Sequence, residues 1–246
     1  MRNKHGLSRE IPEGIKRQVR QECGFGCVVC GFAIVEYEHI EAFSECRSHD
    51  PNSIALLCSK HHSLVTRGFL GKEEIKRHRT NPITFLNGPC NTDFFHLQHP
   101  LRLSIGSNTI AHFECIVRNN DGAEWLAIAP PEHPKAPVRI HATFYNDDGS
   151  TSLRIHDNVW ECQLEQTWDL VASGGVISLY RAPRREALRL RAELPNILHL
   201  ERLDMMVGKS GIQINAAGVV TLLANGSSIR LTGSQFQQTD CVYRIP

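Results

Sequence analysis

The spacing of apolar residues changes along this chain, and the change falls near residue 100. Behind Pro12-Glu13, Ile15 and Val19 stand four apart, which predicts a short amphipathic helix. Gly24, Gly26 and Gly31 bracket Cys27 and Cys30, the composition of a tight turn in which backbone amides can approach a thiolate. Residues 34–40 predict a strand, with Ile34, Glu36, Glu38 and Ile40 on one face and Val35, Tyr37 and His39 on the other. A second short apolar run follows at 54–57. The segment after Cys58 suits a helix carrying His61, His62, Leu64 and Val65, and residues 72–79 suit another that Asn81-Pro82 stops.

Residues 83–100 read as a linker, and beyond them the period is two. Residues 138–144 and 152–155 alternate around Asn146-Asp147-Asp148-Gly149, a hairpin turn signal. Residues 176–180, 211–214, 219–223 and 228–231 continue the pattern, with Asn225-Gly226 as another turn. Residues 184–194 are the one predicted helix of this half, on which Arg181, Arg184, Arg185 and Arg189 would share a face. No internal repeat selects an architecture, so a sandwich, a barrel and a solenoid-like sheet all stay open. Trp125, Trp160 and Trp168 are expected as core anchors.

Composition narrows the class. The chain has 246 residues, of which 41% are apolar, enough for one large domain or two small ones. No apolar run reaches the roughly 18 residues of a membrane span, and the N-terminal residues are polar, so a cytoplasmic protein with no membrane partner is expected. Nine cysteines are an odd number for a disulfide scaffold. The net charge of +1 hides a basic arm. Arg2, Lys4, Arg9, Lys16, Arg17 and Arg20 face only Glu10 and Glu13 in the first 20 residues, compatible with a polyanionic partner or a solvated helix face.

The chemistry concentrates between Cys27 and His62. Cys27-x-x-Cys30 and Cys58-x-x-His61 are two half-sites of zinc-ligand spacing, Glu38-His39 lies between them, and His62 follows directly. Thiolates and imidazole are the ligands tetrahedral zinc prefers, and two intervening residues let one short turn supply both. This order of strand, turn, strand and helix, with an acid–histidine pair and a terminal histidine, resembles the HNH endonuclease family, in its cysteine-containing branch. The resemblance covers residues of about 12–80.

That resemblance implies a small zinc-stabilised ββα-metal nuclease domain at 1–82; with the linker at 83–100 and the period-two pattern of 101–246, read as a mostly β domain with a targeting or ligand-binding role, the expected fold is α+β. The resemblance implies that Cys27, Cys30, Cys58 and His61 hold a structural Zn²⁺. Glu38 and His62 would hold a catalytic divalent metal (Mg²⁺, Mn²⁺ or Ni²⁺), with Glu36 in reserve. His39 would be the general base for hydrolysis of DNA phosphodiesters. The chain departs from the family at the middle asparagine: Ser53 stands at that position and Asn52 one residue earlier. Either could serve. Arg17, Arg20, Arg184, Arg185 and Arg189 are the candidate phosphate contacts. The competing expectation is a zinc-stapled nucleic-acid-binding or protein-interaction module without turnover. Oligomeric state and DNA target are not encoded in any visible pattern.

Overall fold

The computed structural model describes residues 2–87, 90–93, 96–119, 124–133 and 136–245. Its contacts divide the chain into two compact units, Met1–Thr92 and Asp93–Pro246. The first is mixed α and β, and the second is built of strands. The first unit therefore runs ten residues past the expected boundary at 82.

In the first unit, helix α1 (Glu13–Glu22) is followed by strand β1 (Glu36–His39), a 3₁₀ turn at Pro51–Ser53 and strand β2 (Ile54–Leu57). Helices α2 (Ser59–Thr66), α3 (Lys72–Thr80) and α4 (Ile83–Asn87) complete it, before a short strand β3 (Cys90–Asp93). β1 and β2 pair antiparallel, with Glu36 opposite Leu57 and His39 opposite Ile54. All four residues of β2 are buried, which explains why its sequence is a continuous apolar run rather than an alternating one. Val19, Cys23, Val28 and Ile75 pack with it into one core. The expected strand at 34–40 is shorter than the alternation suggested. It begins at Glu36, and Ile34 is 53% exposed outside it.

Two expectations for the later chain are corrected here. Residues 83–87 form α4 rather than an open linker, because Ile83 N donates to Val28 O (3.1 Å) and buried Thr84 donates to Cys23 O (3.1 Å). The linker positions 88–89 and 94–95 lie outside the described residues. Residues 184–194 form a strand rather than a helix.

The second unit contains β4 (Arg102–Ile105), β5 (Asn108–Asn119), β6 (Glu124–Ala129), β7 (Arg139–Tyr145), β8 (Thr151–His156) and β9 (Val159–Cys162). It continues with β10 (Asp169–Ser173), β11 (Val176–Ala182), β12 (Arg185–Glu193), β13 (Ile197–Val207), β14 (Ser210–Ile214), β15 (Val220–Ala224), β16 (Ser227–Leu231) and β17 (Gln235–Ile245). They form one branched sheet. β13 pairs with β12 on one edge and shares its other edge between β4 and β14. β5 likewise pairs in parallel with β17 and shares its remaining edge between β4 and β6. The hairpin at residues 146–149 joins β7 to β8, and Asn225 and Gly226, both at positive φ, turn β15 into β16. Trp125 and Trp160 are buried, whereas Trp168 is only half-buried.

The candidate metal centre

A reversal of the chain creates the first half-site. Gly24 (φ 64°) and Phe25 (φ 59°) are both left-handed and turn the chain back at the end of α1. Gly26 cannot be replaced without movement, since a Cβ there would sit 2.6 Å from Gly31 O. The resulting knuckle is pinned by Cys27 N to Phe32 O (2.9 Å) and Gly31 N to Cys27 O (2.8 Å). Val28 N to Leu56 O (3.0 Å) then joins it to β2. The second half-site is a helix start: Cys58 is the residue before α2, and His61 follows in its first turn.

The four side chains converge. Cys27 Sγ and Cys58 Sγ lie 3.4 and 3.3 Å from His61 Nδ1, and Cys30 Sγ lies 3.8 Å from Cys58 Sγ. All four donor atoms fall within 4.8 Å of one another. For tetrahedral zinc with bonds of about 2.3 Å to sulfur and about 2.05 Å to nitrogen, the expected separations are about 3.8 Å between sulfurs and about 3.6 Å from sulfur to nitrogen. Cys27, Cys30, Cys58 and His61 are thus close enough to hold one metal ion, and a donor set of three cysteines and one histidine suits zinc. The donor at Cys30 pulls the Cys27 thiol down to about 4. Burial opposes this, and the amides of Cys58, Val29 and Cys30 reinforce it. Sharing that proton raises Cys30 in turn. Cys23, by contrast, is pushed up to about 11 by burial and stays a core thiol.

A second cluster lies beside the first. Consecutive residues on a helix point about 100° apart, so His62 leaves the cysteine cluster to His61 and turns to β1. Its Nε2 lies 3.0 Å from Glu38 Oε2 and its Nδ1 lies 3.4 Å from Glu36 Oε2. The Glu38 contact is an ordinary hydrogen-bond distance, so Glu38 and His62 form a carboxylate–imidazole pair. Lys72, the first residue of α3, pairs with Glu38 and also donates to His39 O (2.6 Å). No pattern in the sequence singled Lys72 out; 34 residues separate it from Glu38.

His39 occupies the other face of β1. Its Nε2 lies 3.3 Å from His49 Nδ1, and its ring packs against Phe43 with centroids 5.2 Å apart. Burial, then the neighbouring His49, holds the His39 imidazole below the usual histidine range. Asn52 does not reach either cluster. Its side chain and its amide both bond Asp50 Oδ1, and Ser53 Oγ bonds Asp50 Oδ2. The tether between this loop and β1 is instead a backbone bond, Ile40 N to Ser53 O (2.9 Å).

The candidate phosphate contacts are arranged differently from expectation. Arg20 is buried, bonding Tyr37 Oη (2.7 Å) and Glu13 (2.8 Å), so it clamps α1 to β1. Arg17 is half-buried on α1. Arg184 sits at positive φ in the turn between β11 and β12. Arg185 pairs with Asp147 and Asp204, and Arg189 with Glu186 and Glu201. The shared helical face of these arginines does not exist, and Asp204 and Glu201 on β13, Glu186 on β12 itself and Asp147 in the β7–β8 turn pair with Arg185 and Arg189.

No family model, curated protein or solved structure matches this chain. Among the described residues no helix is long and apolar enough to cross a membrane.

Proposed function

We propose that residues 1–92 are a zinc-stapled, HNH-like endonuclease unit that hydrolyses DNA phosphodiester bonds, and that the β unit positions it on its substrate. The observation that carries this reading is the meeting of Glu38 and His62 at 3.0 Å, on β1 and α2, directly beside the Cys27–Cys30–Cys58–His61 cluster. A purely structural zinc site needs no adjacent carboxylate–imidazole pair.

On this reading zinc joins the knuckle after α1 to the start of α2, and so fixes where His62 meets β1. Glu38 and His62 are the ligands for a divalent cation, which when bound supplies charge stabilisation to the phosphoryl oxygens and the departing sugar oxygen. His39, held neutral at cellular pH, takes a proton from the attacking water. The backbone of the strand keeps base and ligand adjacent in sequence but on opposite faces. Water and phosphate must therefore approach over the end of β1.

The test is incubation of the purified protein with supercoiled plasmid and Mg²⁺, Mn²⁺ or Ni²⁺, with and without chelator. Metal-dependent relaxation or linearisation supports the reading. One specific observation favours the alternative of a zinc-stapled binding module: Lys72 already neutralises Glu38. Plasmid retardation without cleavage under every metal would select that alternative.

A further inference from the structure

His49 is a buried histidine that the proposed chemistry has not used. It is 9% exposed, and both ring nitrogens have partners: Nε2 lies 2.9 Å from Ser8 O, and Nδ1 lies 3.3 Å from His39 Nε2. The order of protons along this chain follows from chemistry alone. A carbonyl oxygen only accepts, so His49 Nε2 must carry the hydrogen. In a neutral imidazole the other nitrogen is then an acceptor, so His49 Nδ1 receives a hydrogen bond. The hydrogen it receives can come only from His39 Nε2. His39 is left with its lone pair on Nδ1.

From this we infer that His49 is the positioning residue for His39: it selects the Nε2–H tautomer, fixes the ring plane, and presents Nδ1 as the atom that accepts the proton. The inference rests on the reading of His39 as the base. When Nδ1 takes one proton from water, the ring becomes an imidazolium whose Nε2–H stays on His49. The hydroxide formed attacks phosphorus, and the sugar oxygen leaves with the bonding pair.

The rest of the surroundings serve to hold His49. Its ring lies nearly parallel to Phe43 (16°), whose ring in turn lies 5.6 Å from the Arg9 guanidinium. Asn3 Nδ2 bonds Phe43 O and Cys46 O, both at 2.7 Å, so the segment that carries Ser8 is tied to the loop that carries His49. A basic N-terminal arm thus acquires a second purpose, since its backbone orders the histidine pair.

The experiment is long-range proton–nitrogen correlation of the imidazoles in ¹⁵N-labelled, zinc-loaded full-length protein, with His39 assigned by its loss in His39→Gln. Wild type should show His39 as the Nε2–H tautomer. His49→Phe keeps the ring packing but removes the acceptor, and should mix the His39 tautomers. His49→Asn returns an acceptor at the Nδ1 position and should restore the Nε2–H form. Turnover should fall about 10–100-fold in His49→Phe with KM unchanged, the usual range for a partner one shell out, and recover in His49→Asn. An Nδ1–H tautomer in wild type, or an unaltered Nε2–H tautomer in His49→Phe, overturns the inference. A correct tautomer series in a protein that cuts no DNA would instead overturn the nuclease reading and leave the proton order standing.

Discussion

Replacing Lys72 with methionine should tighten the binding of a divalent cation at Glu38 and His62. The ammonium of Lys72 sits on the Glu38 carboxylate, which the cation must have, so the two compete. The magnitude follows from the environment. The Glu38 side chain is 15% exposed and that of Lys72 is 41%, so the pair is neither free in water nor fully desolvated. Exposed ion pairs contribute about 0.2–1 kcal/mol, and unit charges about 4 Å apart at an effective dielectric near 20 attract by about 4 kcal/mol before desolvation is subtracted. A net cost of about 1–2 kcal/mol for displacing Lys72 lies between these limits and corresponds to about 5–30-fold in Kd. Titration calorimetry of Mn²⁺ into zinc-loaded wild type and Lys72→Met measures it. Adding Glu38→Gln to Lys72→Met should remove the gain. An unchanged or weaker Kd in Lys72→Met would refute the competition.

The remaining predictions concern the two sites and the frame around them. Cys58→Ser should lose zinc and unfold the first unit while the β unit keeps its signal, read by elemental analysis beside circular dichroism, since structural zinc supplies folding energy outright in a unit this small. His39→Ala should lower cleavage by about 10²–10⁴-fold with zinc content unchanged. Because burial holds His39 below the usual histidine range, the acid limb of the cleavage profile should lie below the ordinary imidazole midpoint of about 6.5, and activity should fall as pH drops through it. Arg79 is nearly buried, bonds Ile54 O (2.8 Å) and Pro51 O (3.3 Å) and pairs with Glu22; Arg79→Met should cost about 2–4 kcal/mol in urea unfolding.

The Cys27–Cys30–Cys58–His61 cluster was legible because each half-site is local: two residues of spacing and a glycine-rich turn are visible without knowing the fold. Six strands of the second unit, β7, β8, β11, β14, β15 and β16, were legible for the same reason, alternation being a property of neighbouring residues. What failed needed distant partners. The segment at 184–194 has the composition of a helix, yet Leu188 and Leu190 are buried between β11 and β13, and pairing on both edges overrides helix propensity. Residues 83–87 looked like a linker because nothing in their own sequence reveals bonds to Val28 and Cys23. The middle motif position was ambiguous between Asn52 and Ser53. The structure gives the loop to Asp50, which accepts from both, and to a backbone bond that no side-chain pattern encodes. The contacts of Lys72 and His49 with β1 were unreadable for one shared reason: each joins residues distant in sequence and forms only when the chain folds.

Zinc content and plasmid cleavage measured on the same preparation of His62→Ala test the central claim most directly. His62 adjoins a zinc ligand in sequence but faces Glu38 rather than the knuckle. The account predicts one zinc per chain, a native circular dichroism spectrum and no metal-dependent cleavage, against active wild type. Cleavage at the wild-type rate by zinc-loaded His62→Ala would contradict it.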